Sequence, residues 1–204
     1  MEETCPKMDK QDVIRFFDSA ATTWDEEMIC SVAVVDKILD GARLRRGMDV
    51  LDVACGTGVL FPFYLSRGVG SVTAIDIAPR MAEIAREKSL NAPITVICGD
   101  AESYDFGRQF DCAVIYNAFP HFPDPARIIR LLSAWIRPGG TLTVAHGMSA
   151  EELRHHHSGP ASQISLELPE PEDLAALFSP WFDVTLTVSN HERIQFTGIR
   201  RDSV

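Results

Sequence analysis

Two glycines and two aspartates carry the densest chemical signal in this 204-residue sequence. Val50 to Gly58 reads VLDVACGTG, an apolar run that stops at Gly56 and Gly58. Glycines at such a bend let the chain turn sharply and let a ligand touch the main chain, because no Cβ intervenes. A dinucleotide-binding bend would carry a third glycine at position 61, where this chain has Phe61. Asp52 stands close to the bend, where a pyrophosphate would have to sit. Its carboxylate disfavours phosphate and suits a cation. An ammonium and a sulfonium, the charges on the methionine half of S-adenosylmethionine, meet that preference. Asp76 follows Gly56 by 20 residues, the spacing at which a carboxylate on the next strand can accept from both hydroxyls of a ribose.

These groups work only if regular elements hold them. Met48 to Ala54 reads as a strand, the CGTG bend follows, and Val59 to Ser66 reads as a helix. Strands are then expected at Ser71 to Asp76, Ile94 to Cys98, Asp111 to Tyr116 and Gly140 to Ala145, with helices at Pro79 to Ser89 and Pro125 to Ile136. Alternation of this kind, with strands apolar on both faces, predicts a parallel sheet covered by helices on each side. After a polar stretch from Met148 to Pro169 come a helix near Pro171 to Phe178 and two β-rich runs, Phe182 to Ser189 and Arg193 to Ile199. Separated by Asn190-His191-Glu192, those two runs should pair as an antiparallel hairpin. Upstream, Val13, Phe16, Phe17, Ala20 and Trp24 recur at helical spacing after an Asp9 cap, and a second helix is expected over about Glu26 to Ala42.

The hydrophobic content of 46% supports one substantial core, so one domain is expected over 1–204: a helical cap (1–47), a ligand-binding core (48–146) and an insertion with the hairpin (147–204). A formal charge of -10 argues against nucleic acid and anionic membrane partners. The N-terminus has no basic and apolar leader pattern and no run reaches the roughly 20 apolar residues of a membrane span, so a cytoplasmic protein is expected. Five scattered cysteines, with no C-x-x-C pair, suggest reduced thiols and neither a disulfide framework nor a metal site.

The stretch Val50 to Gly58 resembles motif I of the class I S-adenosylmethionine-dependent methyltransferases, in the small-molecule branch that includes quinone-biosynthesis C-methyltransferases. Three further segments match in order: GDAE (Gly99 to Glu102), FDCAVIYNAFPHF (Phe110 to Phe122) and RPGGTL (Arg137 to Leu142). The resemblance covers about residues 48 to 146 and implies a Rossmann-like three-layer sandwich, a mostly parallel seven-stranded sheet ending in an antiparallel hairpin. It implies S-adenosylmethionine as cofactor, held by Asp52, Ala54, Gly56, Thr57 and Gly58, by Asp76 and Ile77, by Asp100 and Ala101 beside the adenine, and by Asn117 and Ala118. The segment Phe16 to Glu27 resembles the helical cap of the same branch, so Phe17 and Trp24 become candidates for the substrate side, against ordinary apolar packing.

Methyl transfer needs mainly alignment and dryness, because the donor is already activated. A base within hydrogen-bond reach of a hydroxyl, amine or acidic carbon would add about 100- to 10,000-fold. His121, in the loop after the fourth strand, is the leading candidate, against a cavity-lining imidazole. His155, His156 and His157 lie in the insertion and are candidates for substrate contact; no ligand spacing supports a metal there. Asn117-Ala118-Phe119-Pro120 lacks the paired prolines expected of amino-methylating DNA enzymes, and no convergent thiols point to arsenic. The expected partner is a small-molecule methyl acceptor and the expected state a monomer or homodimer. Two other classes stay open: a cofactor-binding protein that transfers nothing, and a nicotinamide oxidoreductase.

Overall fold

The computed structural model describes residues 8–28, 30–156 and 160–202. Its first helix, α1 (Lys10–Ala20), starts where expected: the Asp9 carboxylate accepts from the Gln11 amide at 2.9 Å, satisfying one of the amides that a helix start leaves unpaired. The apolar stripe does not continue as one helix to Trp24. The chain turns at Ala21 to Thr23 and begins a separate short helix, α2 (Trp24–Glu27). The expected second helix is likewise divided, because α3 covers only Val32–Gly41, buried through Val35, Ile38 and Leu39. Branched Thr22 and Thr23, weak helix formers that lose χ1 freedom in a helix, stand at the first break.

The alternating core follows: β1 (Asp49–Val53), α4 (Phe61–Ser66), β2 (Ser71–Asp76), α5 (Pro79–Lys88), β3 (Ile94–Cys98), β4 (Phe110–Tyr116), α6 (Pro125–Trp135) and β5 (Ile136–His146). β5 begins four residues earlier than expected. Ile136 pairs with Phe110 before the Pro138 to Gly140 kink, and the register resumes at Cys112 and Thr141. The polar stretch is not structureless: it holds α7 (Ala150–His156) and a 3-10 turn, Pro160–Ile164. Then come α8 (Pro171–Phe178), β6 (Phe182–Ser189) and β7 (Ile194–Arg200). Asn190 closes the hairpin, its side-chain oxygen accepting from the Glu192 and Arg193 amides at 2.9 Å.

The seven strands form one sheet in the order β3-β2-β1-β4-β5-β7-β6. β1 to β5 pair in parallel, and β7 lies antiparallel between β5 and β6. Side-chain alternation splits the core into two layers. Leu51, Val53, Ala113, Ile115 and Leu142 pack with Ile128, Leu132, Leu174 and Phe178 of α6 and α8. Val50, Ala74, Cys112 and Val114 pack with Val35, Ile38, Tyr64 and Ala85 of α3, α4 and α5. Strand order reverses at β1, whose neighbours β2 and β4 run to opposite sides, and ligands bind such sheets in the crevice outside the carboxyl ends at that reversal. Among the described residues no helix is long and apolar enough to cross a membrane.

Candidate cofactor and active site

The carboxyl ends of β1, β2, β3 and β4 gather most of the expected residues along one groove. On one side a cavity is lined by Phe17, Trp24, Ala54, Gly56, Thr57, Asp76, Ile77, Asn117, Ala118 and His121. An adjoining cavity is lined by Ala54, Ile77, Asp100, Ala101, Glu102 and His121, and Val13 reaches both.

The bend itself is built on unusual backbone. Ala54 (φ 55°), Gly56 (φ 56°) and Gly58 (φ 84°) all occupy the left-handed region. Glycine does so at no steric cost, whereas alanine there is strained, a state proteins concentrate at functional sites. Asn117 (φ 54°) repeats the conformation at the end of β4, and its side-chain oxygen accepts from the Gly147 amide at 2.9 Å. Two neighbouring strands therefore finish in the same strained turn, facing each other across the reversal point. Gly56 shows no atom within 4 Å of where a Cβ would stand, so a ligand can approach its backbone. Gly58 faces inward instead: a Cβ would come within 2.5 Å of the Phe61 ring.

Asp76 ties the second strand to the bend. Its Oδ2 accepts from the Gly56 amide at 2.7 Å and its Oδ1 from the Ala78 amide at 2.9 Å. Each oxygen retains a further lone pair. Burial pushes its pKa up to about 6 against the pull of those two amides. Asp52 lies elsewhere than the sequence suggests. It is 2% exposed and sits beneath the bend, with one oxygen, Oδ2, making no hydrogen bond. Burial pushes its pKa up to about 7; the nearby Asp76 charge adds to that, and the Tyr64 hydroxyl opposes it. Tyr64, on α4, is wholly buried and its hydroxyl also lacks an aligned hydrogen-bond partner.

Asp100 Oδ1 accepts from the Glu102 amide at 2.9 Å, which fixes the carboxylate at the rim of the second cavity. Thr57 donates its hydroxyl to Asp25 Oδ1 at 2.5 Å, and Lys88 pairs with the other oxygen of Asp25. Burial works against ionisation of Asp25, but Lys88 and Thr57 outweigh it and lower the pKa.

His121 lies at the junction of the two cavities, in a 3-10 turn, Phe119–His121. Its Nδ1 is 2.9 Å from the Ile164 carbonyl and 3.3 Å from the Ser165 hydroxyl, and the Leu166 amide donates to the Pro120 carbonyl at 2.7 Å. The segment after β5 is thereby strapped to the loop after β4. Phe17 meets the imidazole edge-on, centroids 5.0 Å apart, and Trp24 meets Phe17 at 5.4 Å. Beyond the strap a larger cavity of about 340 Å³ opens between α7 and β7, lined by Leu153, Leu166, Leu168, Ile194 and Phe196, with Arg154 and Glu167 also on its wall.

Among the described residues, His121 is the histidine that lines these two cavities. His155 is exposed on α7; the side chain of His156, and all of His157, lie outside the described residues. Among the described residues no cluster of histidine, cysteine or carboxylate side chains has the arrangement to hold a metal. Sequence reasoning did not single out Lys10, Met28, Tyr116 or Phe122 as lining residues, though all four line the groove.

A family model described as a methyltransferase domain matches residues 50–140. A ubiquinone biosynthesis O-methyltransferase of Xanthomonas campestris pv. campestris (strain B100) is 37% identical over 100 residues, 47% of this chain and 41% of that protein. A ribosomal protein L11 methyltransferase of Laribacter hongkongensis (strain HLHK9) is 27% identical over 161 residues, 78% of this chain and 46% of the relative. The chain thus spans about half the length of the curated relatives it matches. Magnesium protoporphyrin IX methyltransferase from Synechocystis PCC 6803, solved with bound SAH, superposes with a TM-score of 0.73 at 16% identity, covering 94% of this chain and 100% of that one. The reversal-point bend, the strand order and the matched segment agree: residues 50–140 of this chain match the methyltransferase-domain family, on the fold of the S-adenosylmethionine-dependent methyltransferases.

Proposed function

We propose that the chain transfers the methyl group of S-adenosylmethionine to a small-molecule acceptor, with His121 as general base. The observation that carries this reading is the pair of buried carboxylates at the glycine bend, Asp52 with an orphaned oxygen and Asp76 with lone pairs to spare. An anionic bend that leaves Gly56 open suits a cationic donor with a ribose and repels a diphosphate. Asp76 would hold the ribose, Asp100 and Ala101 the adenine, and the bend with Asn117 and Ala118 the methionine half. The bound donor supplies an electrophilic methyl on sulfur.

What the protein's own groups do follows from their positions. A carbonyl oxygen only accepts, so the Ile164 contact calls for a proton on His121 Nδ1, and in the neutral imidazole Nε2 is then the basic nitrogen. That tautomer is the one able to take a proton from an acceptor in the groove. Phe17, Trp24, Val13 and Met81 wall the groove with apolar surface and exclude water. The cavity of about 340 Å³ behind the His121 strap is of the size that takes small ligands, and its wall, Leu153, Ile194 and Phe196 with Arg154 and Glu167, suits an acceptor with an apolar body and a polar or charged end. The L11 relative favours a second reading, a protein acceptor. We also place the chain in the cytoplasm, as a monomer or homodimer, consistent with four described cysteines that form no disulfide.

A labelled-methyl assay over phenolic, amine, thiol and basic-protein acceptors tests the proposal. Label is expected in a small molecule; label only in protein selects the second reading, and none in any acceptor leaves a binding protein. Asp76→Ala is expected to weaken S-adenosylhomocysteine binding by about 1–3 kcal/mol, the scale of hydrogen bonds to a charged group. Calorimetry on the folded variant checks it, and wild-type affinity would remove Asp76 from the site.

A further inference from the structure

The N-terminal segment closes the groove by gripping residues assigned to the cofactor. Lys10, the first residue of α1, places Nζ 2.6 Å from Asp100 Oδ2 and also pairs with Glu102 Oε2. With Oδ1 bound to the Glu102 amide, both oxygens of Asp100 are engaged. Further along, Asp18 accepts from the Arg80 amide at 2.8 Å at the start of α5, and Asp25 takes the Thr57 hydroxyl and Lys88. Two of these three attachments therefore end on Asp100 and Thr57. Burial works against the charge on Lys10, yet Asp100 and Glu102 together hold its pKa above the ordinary lysine value.

α1 forms a wall of both halves of the groove, with Lys10 and Val13 lining one and Val13 and Phe17 the other. A ligand that enters between α1 and the strand ends needs α1 to lift, and lifting breaks the Lys10 contacts, because they join α1 to the loop after β3.

We propose that Lys10 is the latch of this lid: in the empty protein it holds α1 down on Asp100 and Glu102, and it yields Asp100 to the adenine amino group when the cofactor binds. The ammonium has three donors, so it keeps Glu102, which is 8% exposed, while it releases Asp100. The lid can then settle again over the bound cofactor with half its ion pair intact. The side chains of Lys10 and Asp100 are 34% and 27% exposed, so salt weakens the latch. Lys10 is thus a gating residue that acts through Asp100. The idea rests on the cofactor reading and on the assignment of Asp100 to the adenine.

Stopped-flow fluorescence tests it on the full chain, with S-adenosylhomocysteine as probe and Trp24 beside the groove as reporter. Lys10→Met should associate about fivefold faster than wild type at low salt, the size of a modest ion pair. Wild-type association should accelerate as salt is added and the variant's should not, while Lys10→Arg, which keeps the bridge, should follow wild type. Association of Lys10→Met at the wild-type rate or slower overturns the latch. Failure of the underlying assignments reads differently: wild-type affinity in Asp100→Asn removes the exchange at Asp100, and absence of binding to any form, wild type included, overturns cofactor reading and latch together.

Discussion

His121→Asn should lower kcat by about 100- to 10,000-fold, the range for losing a positioned base. Affinity for S-adenosylhomocysteine should change far less. The two effects separate because asparagine can still donate to the Ile164 carbonyl, now 2.9 Å from Nδ1, and so preserve the strap that joins the loop after β4 to the segment after β5. What it cannot supply is the Nε2 lone pair. A loss seen in kcat and kcat/KM alike marks an interaction made in the transition state, whereas a loss confined to KM would mark simple binding. Single-turnover measurements on wild type and variant decide it. Unchanged turnover would reduce His121 to a wall residue against Phe17.

Asp52→Asn should make the empty protein more stable and the cofactor weaker. An aspartate in the unfolded chain titrates near about 3.9, whereas burial pushes Asp52 up to about 7 in the fold, with Asp76 on β2 adding to the shift and Tyr64 on α4 opposing it. Between those two values the native state holds a proton that the unfolded chain has lost, so stability falls as pH rises through the window. A shift of this size corresponds to about 4 kcal/mol once the carboxylate is fully ionised. Asparagine carries no charge to desolvate. The variant is therefore expected to gain about 2–4 kcal/mol over wild type near pH 8, and the gain should shrink toward zero below about pH 3, where both states of wild type are protonated. Denaturant unfolding across pH measures this. In the same variant, affinity for S-adenosylmethionine should drop by about 10-fold, through loss of a negative charge beneath the bend and not of a direct contact. A variant equally stable at both pH values would contradict the burial of an ionisable, unsatisfied carboxylate.

The parallel core was legible because its central strands are short apolar runs, buried on both faces, each followed by a turn or helix start. Val50 to Val53 and Cys112 to Tyr116 show it plainly. The hairpin was legible for the opposite reason, since β6 alternates strictly between inward and outward residues. The break after Ala21 was not, because Trp24 falls at the right helical spacing whether or not the helix continues. Residues 150–156 gave no signal, as Leu153 is the one side chain described as buried in that helix. The placement of Gly56, Asp76 and Asp100 along the groove was readable from motif order. The strained turns at Ala54 and Asn117 were only partly so: asparagine tolerates a positive φ, but alanine gives no warning of one. Asp52 was read as lining the bend, although a carboxylate inside a run that is otherwise Val50, Leu51 and Val53 must share their burial. The Lys10 contact joins residues 90 positions apart, and no periodicity reports on such a pairing.

Calorimetric titration of the intact protein with S-adenosylhomocysteine, beside NAD as control, addresses the anionic glycine bend most directly. Saturable one-to-one binding of the thioether, none of the dinucleotide, and an affinity that rises from about pH 6 to about pH 8 as Asp76 and Asp52 ionise are the expected results. Uptake of NAD with no heat from S-adenosylhomocysteine would contradict the account.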